Sequence, residues 1–109
     1  MQIDTPLSSA EQIAERIARQ LNPKRIVLFG SRARGDDRPD SDVDLMVEME
    51  TTLPPAERMR KVHEVCGNRA VPLDLVVFTP EEVARWRDSM YSIIGAVERE
   101  GRVLYERPG

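Results

Sequence analysis

Residues Phe29 to Leu45 read "FGSRARGDDRPDSDVDL", with three arginines and five aspartates set between two short apolar runs. The run in front, "RIVLFG" from Arg25 to Gly30, is β-rich and bounded by Pro23 and Gly30, as expected of a strand buried on both faces. The run behind, "SDVDLMVEME" from Ser41 to Glu50, alternates. Val43, Leu45, Val47 and Met49 point one way and Asp42, Asp44, Met46 and Glu48 the other, so it reads as a strand with one markedly polar end. The opposed charge therefore sits in the connection between two strands and at the entry to the second.

Working outward, Ala10, Ile13, Ala14, Ile17, Ala18 and Leu21 repeat at helical spacing over Ser8 to Leu21. Ser8 with Glu11 offers a capping box, and Asn22-Pro23 a stop. Downstream, Met59, Val62 and Cys66 mark a helix over Pro54 to Cys66 that Gly67 ends. "VPLDLVVF" from Val71 to Phe78 reads as a third strand, expected to be central, with Asp74 inside its apolar run. Thr79, Pro80 and Glu82 start a further helix, whose stripe of Val83, Trp86, Met90, Ile93, Ile94 and Val97 continues to Gly101 with a possible break near Asp88 and Ser89. "RVLYE" closes the chain as a fourth strand. Helices alternating with strands predict an α/β fold, a small sheet layered with helices, in which the first two strands need not be parallel. The reading is of one domain over 1–109, ordered over about 6–106, with fraying ends.

Composition narrows the function. Sixteen basic against nineteen acidic side chains leave a net charge of -3, which argues against a surface that neutralises duplex nucleic acid. The single cysteine, Cys66, excludes an internal disulfide and a multi-cysteine metal site, and suits a reducing compartment. No signal-peptide pattern opens the sequence and no apolar run approaches the roughly 20 residues of a membrane span, so a cytoplasmic protein without membrane contact is expected.

Aspartates two apart on a strand share a face, so Asp42 and Asp44 set two carboxylates side by side. Such a pair either stands hydrated at a strand end or holds a hard divalent cation, most plausibly Mg²⁺. Asp74, if buried unpaired, costs several kcal/mol, so it needs a partner. One partner is an arginine such as Arg69, or water at a strand end. The other is a place beside Asp42 and Asp44, where three carboxylates suit two metal ions. Gly30 and Ser31 fall where a strand turns into a short helix, a geometry that offers backbone N–H groups and a hydroxyl to phosphate. Arg32 and Arg34 either add charge-assisted contacts to a polyphosphate or pair with Asp36, Asp37 and Asp40. No lysine with serine or threonine follows Gly35, so "GSRARGDD" is not a P-loop.

His63, the only histidine, reads as a boundary residue, and Cys66 as a small helix-end hydrophobe. Trp86 reads as core with Val83 and Met90 rather than as a base-stacking platform. Tyr91 and Tyr105 are candidates for a partner contact that no spacing singles out.

Gly30-Ser31, ten residues, then Asp42-x-Asp44 resembles the signature of the nucleotidyltransferase superfamily that includes DNA polymerase beta, and Asp74 matches its third carboxylate. The length, "GSRARG", "DSDVDL" and the ending "EREGRVLYER" resemble the minimal nucleotidyltransferase group, over about Pro6 to Glu106. The resemblance implies transfer of a nucleoside monophosphate, AMP from ATP or another NTP, with two Mg²⁺ ions as cofactors. It implies that Gly30 and Ser31 hold the triphosphate, with Arg34 as a weaker phosphate contact. Asp42 and Asp44 would bind both metals, and Asp74 would bind one and help activate the attacking hydroxyl. It also implies a partner: a HEPN-domain RNase toxin, modified on a tyrosine and so neutralised, which makes this chain the antitoxin. Two alternatives remain at this point, an antitoxin that binds nucleotide but inhibits by contact alone, and transfer to a small aminoglycoside-like acceptor.

Overall fold

The computed structural model describes residues 7–38 and 41–108, so the reading of Asp40 as a loop acid lies outside the described residues. Helix α1 (Ala10–Leu21) is followed by strand β1 (Arg25–Phe29), the one-turn helix α2 (Ser31–Arg34) and strand β2 (Val43–Glu48). Helix α3 (Pro55–Cys66) then leads to strand β3 (Leu73–Phe78), helices α4 (Pro80–Trp86) and α5 (Ile93–Glu100), and strand β4 (Arg102–Glu106). The four strands form one mixed sheet in the order β3-β2-β1-β4. β1 runs antiparallel to both neighbours, while β2 and β3 are parallel, joined by the crossover through α3. The expected α/β architecture, a small mixed sheet with flanking helices, is what the chain adopts.

Apolar side chains fill both faces of the sheet. On one face Ile13, Ile17, Val62 and Cys66 of α1 and α3 meet Ile26, Leu28, Leu45 and Leu75. On the other, Val83 of α4 and Ile94 and Val97 of α5 cover Val27 and Met46. This double coverage explains the continuous apolar run of β1. It also explains why β2 buries Met46 on the face that the alternation assigned to polar residues.

Several local expectations are corrected. The cap of α1 is Ser9 with Gln12, not Ser8 with Glu11: Ser9 Oγ accepts from the Gln12 N–H at 3.1 Å, and Gln12 Oε1 accepts from the backbone N–H groups of Ser8 and Ser9. The helical stretch from Thr79 to Gly101 does break across Asp88 and Ser89, where the sequence reading placed a break, and forms two helices. Ser92 caps the second by accepting from Gly95 N–H at 2.9 Å and donating to Trp86 O at 3.0 Å, a local side-chain bonding pattern that competes with continued helix. Trp86, Met90 and Ile93 consequently leave the stripe and face solvent, so Trp86 is not core. β3 is an edge strand rather than a central one, and Asp74 is exposed at its start, so Asp74 does not carry the interior penalty expected of it. The capping box of α4 is as expected, with Thr79 and Glu82 bonded reciprocally at 3.2 and 2.8 Å.

Candidate active site

The site begins with strand register. Phe29, the last residue of β1, lies opposite Asp44 on the antiparallel side, and Asp44 lies directly opposite Asp74 on the parallel side. Two residues earlier in the chain than Asp44, Asp42 is exposed just outside β2. One end of the sheet thus gathers the turn after Phe29 with all three acids picked out from the sequence.

Gly30 makes this convergence possible. Its φ of 76° and ψ of -156° fall in a region that is essentially glycine-only, and the Asp44 carboxylate lies against its Cα so closely that a Cβ there would overlap it. Ser31 opens α2, a single turn closed by Gly35, whose N–H returns to Ser31 O. The Ala33 and Arg34 N–H groups both return to Gly30 O at 3.2 Å, so the donors left at the start of α2, with no bond among the described residues, are the Ser31 and Arg32 N–H groups beside the Ser31 hydroxyl.

Electrostatics mark Asp44. Partial burial raises its carboxyl above the usual range, and the negative charges of Asp74 and Asp42 and a hydrogen bond with Asp74 push it the same way, with Arg34 opposing. An all-oxygen acid group that repels itself in this manner fits a hard divalent cation. Among the described residues no three His, Cys, Asp or Glu side chains close into a cage, but Mg²⁺ requires only one or two carboxylates when substrate phosphates complete its shell.

Arg32 and Arg34 separate. Arg32 points back onto the connection, donating to Ser41 O at 2.7 Å and to Asp42 O at 3.2 Å, with Asp37 at 3.9 Å. It anchors the backbone that carries Asp42, a role that no sequence spacing announces. Arg34 is exposed, makes a long 3.4 Å contact with Asp36 and acts on Asp44 by its charge. His63 is half-buried on α3, the boundary position expected of it, and burial together with the charge of Arg69 lowers its basicity while Asp74 partly offsets them. Arg69 itself donates to Gly67 O at 3.2 Å.

A family profile described as the nucleotidyltransferase domain matches residues 10–103. The chain belongs to that family. Among solved structures, this nucleotidyltransferase domain is similar to a Sulfolobus solfataricus protein assigned as a nucleotidyltransferase, at 24% identity and a TM-score of 0.64, over 90% of this chain and 78% of the other. It is also similar to a chain of a toxin–antitoxin structure solved with AMP-PNP, at 23% identity and a TM-score of 0.55, over 90% of this chain and 74% of that one. Both likenesses are of fold. No curated protein matches the chain. Among the described residues of the nucleotidyltransferase domain, no helix is long and apolar enough to cross a membrane.

Proposed function

We propose that this chain is a minimal nucleotidyltransferase, a single domain that moves AMP from ATP onto a hydroxyl of a partner protein. The acceptor is a tyrosine of a HEPN-domain RNase toxin, so the chain acts as its antitoxin. The observation that supports the chemistry best is the register that sets Asp44 opposite Asp74 with its carboxylate against Gly30. In this reading Ser31 and the first N–H groups of α2 donate to the triphosphate, Gly30 lets it approach the backbone, and Arg34 adds a cationic contact. Asp42, Asp44 and Asp74 would hold two Mg²⁺ ions, which would supply charge stabilisation for the attacking and leaving oxygens. Asp74 also helps take the proton of the attacking hydroxyl. The hydroxyl oxygen bonds the α-phosphorus, the bond to the β-phosphate breaks, and pyrophosphate leaves. Arg32 holds Asp42 in place through Ser41 and Asp42 carbonyls. The partner reading draws support from the sequence resemblance and from the toxin–antitoxin structure of like fold.

The test incubates the chain with α-labelled ATP, Mg²⁺ and the protein encoded beside it. Label is expected on a tyrosine of that protein, and the double variant Asp42→Ala, Asp44→Ala should lower transfer at least about 100-fold. Neutralisation that survives the double variant undiminished would replace transfer with inhibition by contact.

A further inference from the structure

Asp42 and Asp44 are held in different ways. Asp44 lies inside β2, paired to strands on both sides, whereas Asp42 is exposed and stands outside the strand. A carboxylate on loose backbone has to be ordered as a cation binds, and that ordering weakens binding unless the fold has done it beforehand. Here the backbone around Asp42 is fixed from both directions. After it, Val43 N–H donates to Pro72 O at 2.9 Å. Before it, Ser41 O accepts from Arg32 Nη2 at 2.7 Å and from Nε at 3.3 Å, and Asp42 O accepts from Arg32 Nε at 3.2 Å.

Ser41 supplies a further hold that the arginine does not. It is half-buried, its Oγ accepts from the Arg38 N–H at 2.7 Å, and its own N–H donates to Arg38 O at 2.9 Å. Hydroxyl, N–H and carbonyl of this residue are therefore all bonded, the first two to Arg38 and the last to Arg32. The peptide that joins Ser41 to Asp42 is thus tied to the chain behind it as well as to α2. We propose that Ser41 is a positioning residue for the metal site, its hydroxyl fixing, through Arg38, the peptide that presents the Asp42 carboxylate to a divalent cation. The proposal rests on Asp42 being a metal ligand, as in the function proposed above. Ser41 acts through Asp42 and takes no part in the transfer itself.

Binding of Mn²⁺ to the full-length chain, followed by its paramagnetic resonance in the presence of α,β-methylene-ATP, tests this without any acceptor, so the result does not depend on which hydroxyl is modified. Ser41→Ala should weaken Mn²⁺ binding about three- to tenfold, as the loss of one hydrogen bond would, and Ser41→Thr, which keeps the hydroxyl, should recover most of it. Arg38→Ala keeps the backbone N–H and should bind like the parent. In the Asp42→Asn background Ser41→Ala should add nothing, because the carboxylate it places is gone. Where transfer is measured, Ser41→Ala should raise the Mg²⁺ concentration for half-maximal rate and leave the rate at saturating Mg²⁺ near that of the parent. Thermal unfolding in chelator checks that each variant folds, and Ser41→Cys, close in size but a poor acceptor, serves if Ser41→Ala does not. Mn²⁺ binding unchanged by Ser41→Ala overturns the proposal, and so does a loss that persists undiminished in Asp42→Asn. A parent chain that binds no Mn²⁺ would instead remove the ligand assignment on which the proposal stands.

Discussion

Asp44 is the residue on which function and stability pull in opposite directions. Burial and the fields of Asp74 and Asp42 raise its carboxyl in the folded chain, with only Arg34 opposing. A carboxyl raised on folding binds its proton more tightly in the native state, so stability falls as pH rises from the unfolded value through the folded one, and the penalty persists above it. Asp44→Asn should therefore abolish transfer while raising the thermal midpoint at about pH 7 in chelator, a gain that fades on descent towards about pH 3. A midpoint difference unchanged across that range, followed by calorimetry, would show that Asp44 is not under this repulsion. The same reasoning accounts for a local rule the chain breaks, acids crowded without a partner, which is the signature of a site rather than of a stable surface.

At the scale of elements, the connection from α2 to β2 depends on Arg32. Its guanidinium binds two successive carbonyls, Ser41 O and Asp42 O, so it fixes the backbone from which the Asp42 carboxylate projects. Arg32→Ala is expected to raise KM for ATP and increase proteolytic cutting between Asp36 and Asp42, with a change in global stability within about 1 kcal/mol. Limited proteolysis beside steady-state kinetics would check it. Arg32→Lys should restore little, because one ammonium does not reproduce the planar fork. A second element, the start of α4, is secured across the fold. Burial would raise the Glu82 carboxyl, but hydrogen bonds from Thr79 and Arg58 outweigh it and hold it low. Arg58, donating to Glu82 at 2.8 Å and to Leu53 O at 2.7 Å, thereby ties α3 to α4 around the edge strand β3.

For the whole molecule, the end of the sheet away from the acids is closed by charge in the interior. Glu48 is 1% exposed, bonded to Arg25 Nε at 3.0 Å with Lys24 Nζ at 3.6 Å, and Arg25 in turn bonds Glu98 of α5. The network links β1, β2 and α5, so it fastens the helix layer that covers Val27 and Met46. Arg25→Met should cost about 3–5 kcal/mol in denaturant unfolding by stranding Glu48, whereas Arg25→Met with Glu48→Met should recover most of that loss. Equal destabilisation by the single and double variants would contradict a coupled pair.

Local chemistry made much of this legible in the chain. The 3.6-residue period of α1, the Thr79-Pro80-Glu82 start, the β-rich run at Arg25 and the aspartates two apart at Asp42 and Asp44 each express interactions between near neighbours. The fold class and the candidate residues Gly30, Ser31, Arg34, Asp42, Asp44 and Asp74 were readable from them. What was not readable depended on which residues meet from afar. Glu48 continues the polar alternation of Asp42 and Asp44, yet it is buried because Arg25 on the neighbouring strand receives it. Trp86 and Met90 fit a helical stripe, yet they are exposed because Ser92 starts a new helix and Gly95 lets the intervening turn pack close. Asp74 falls inside an apolar run, yet it is exposed because β3 takes the edge of the sheet. The sequence by itself determined the elements and the acidic residues, since these follow from side-chain period, caps and spacing. Only the tertiary structure decided that Asp74 stands across from Asp44, because the partner of a strand is chosen by the burial of whole faces rather than by any residue within it.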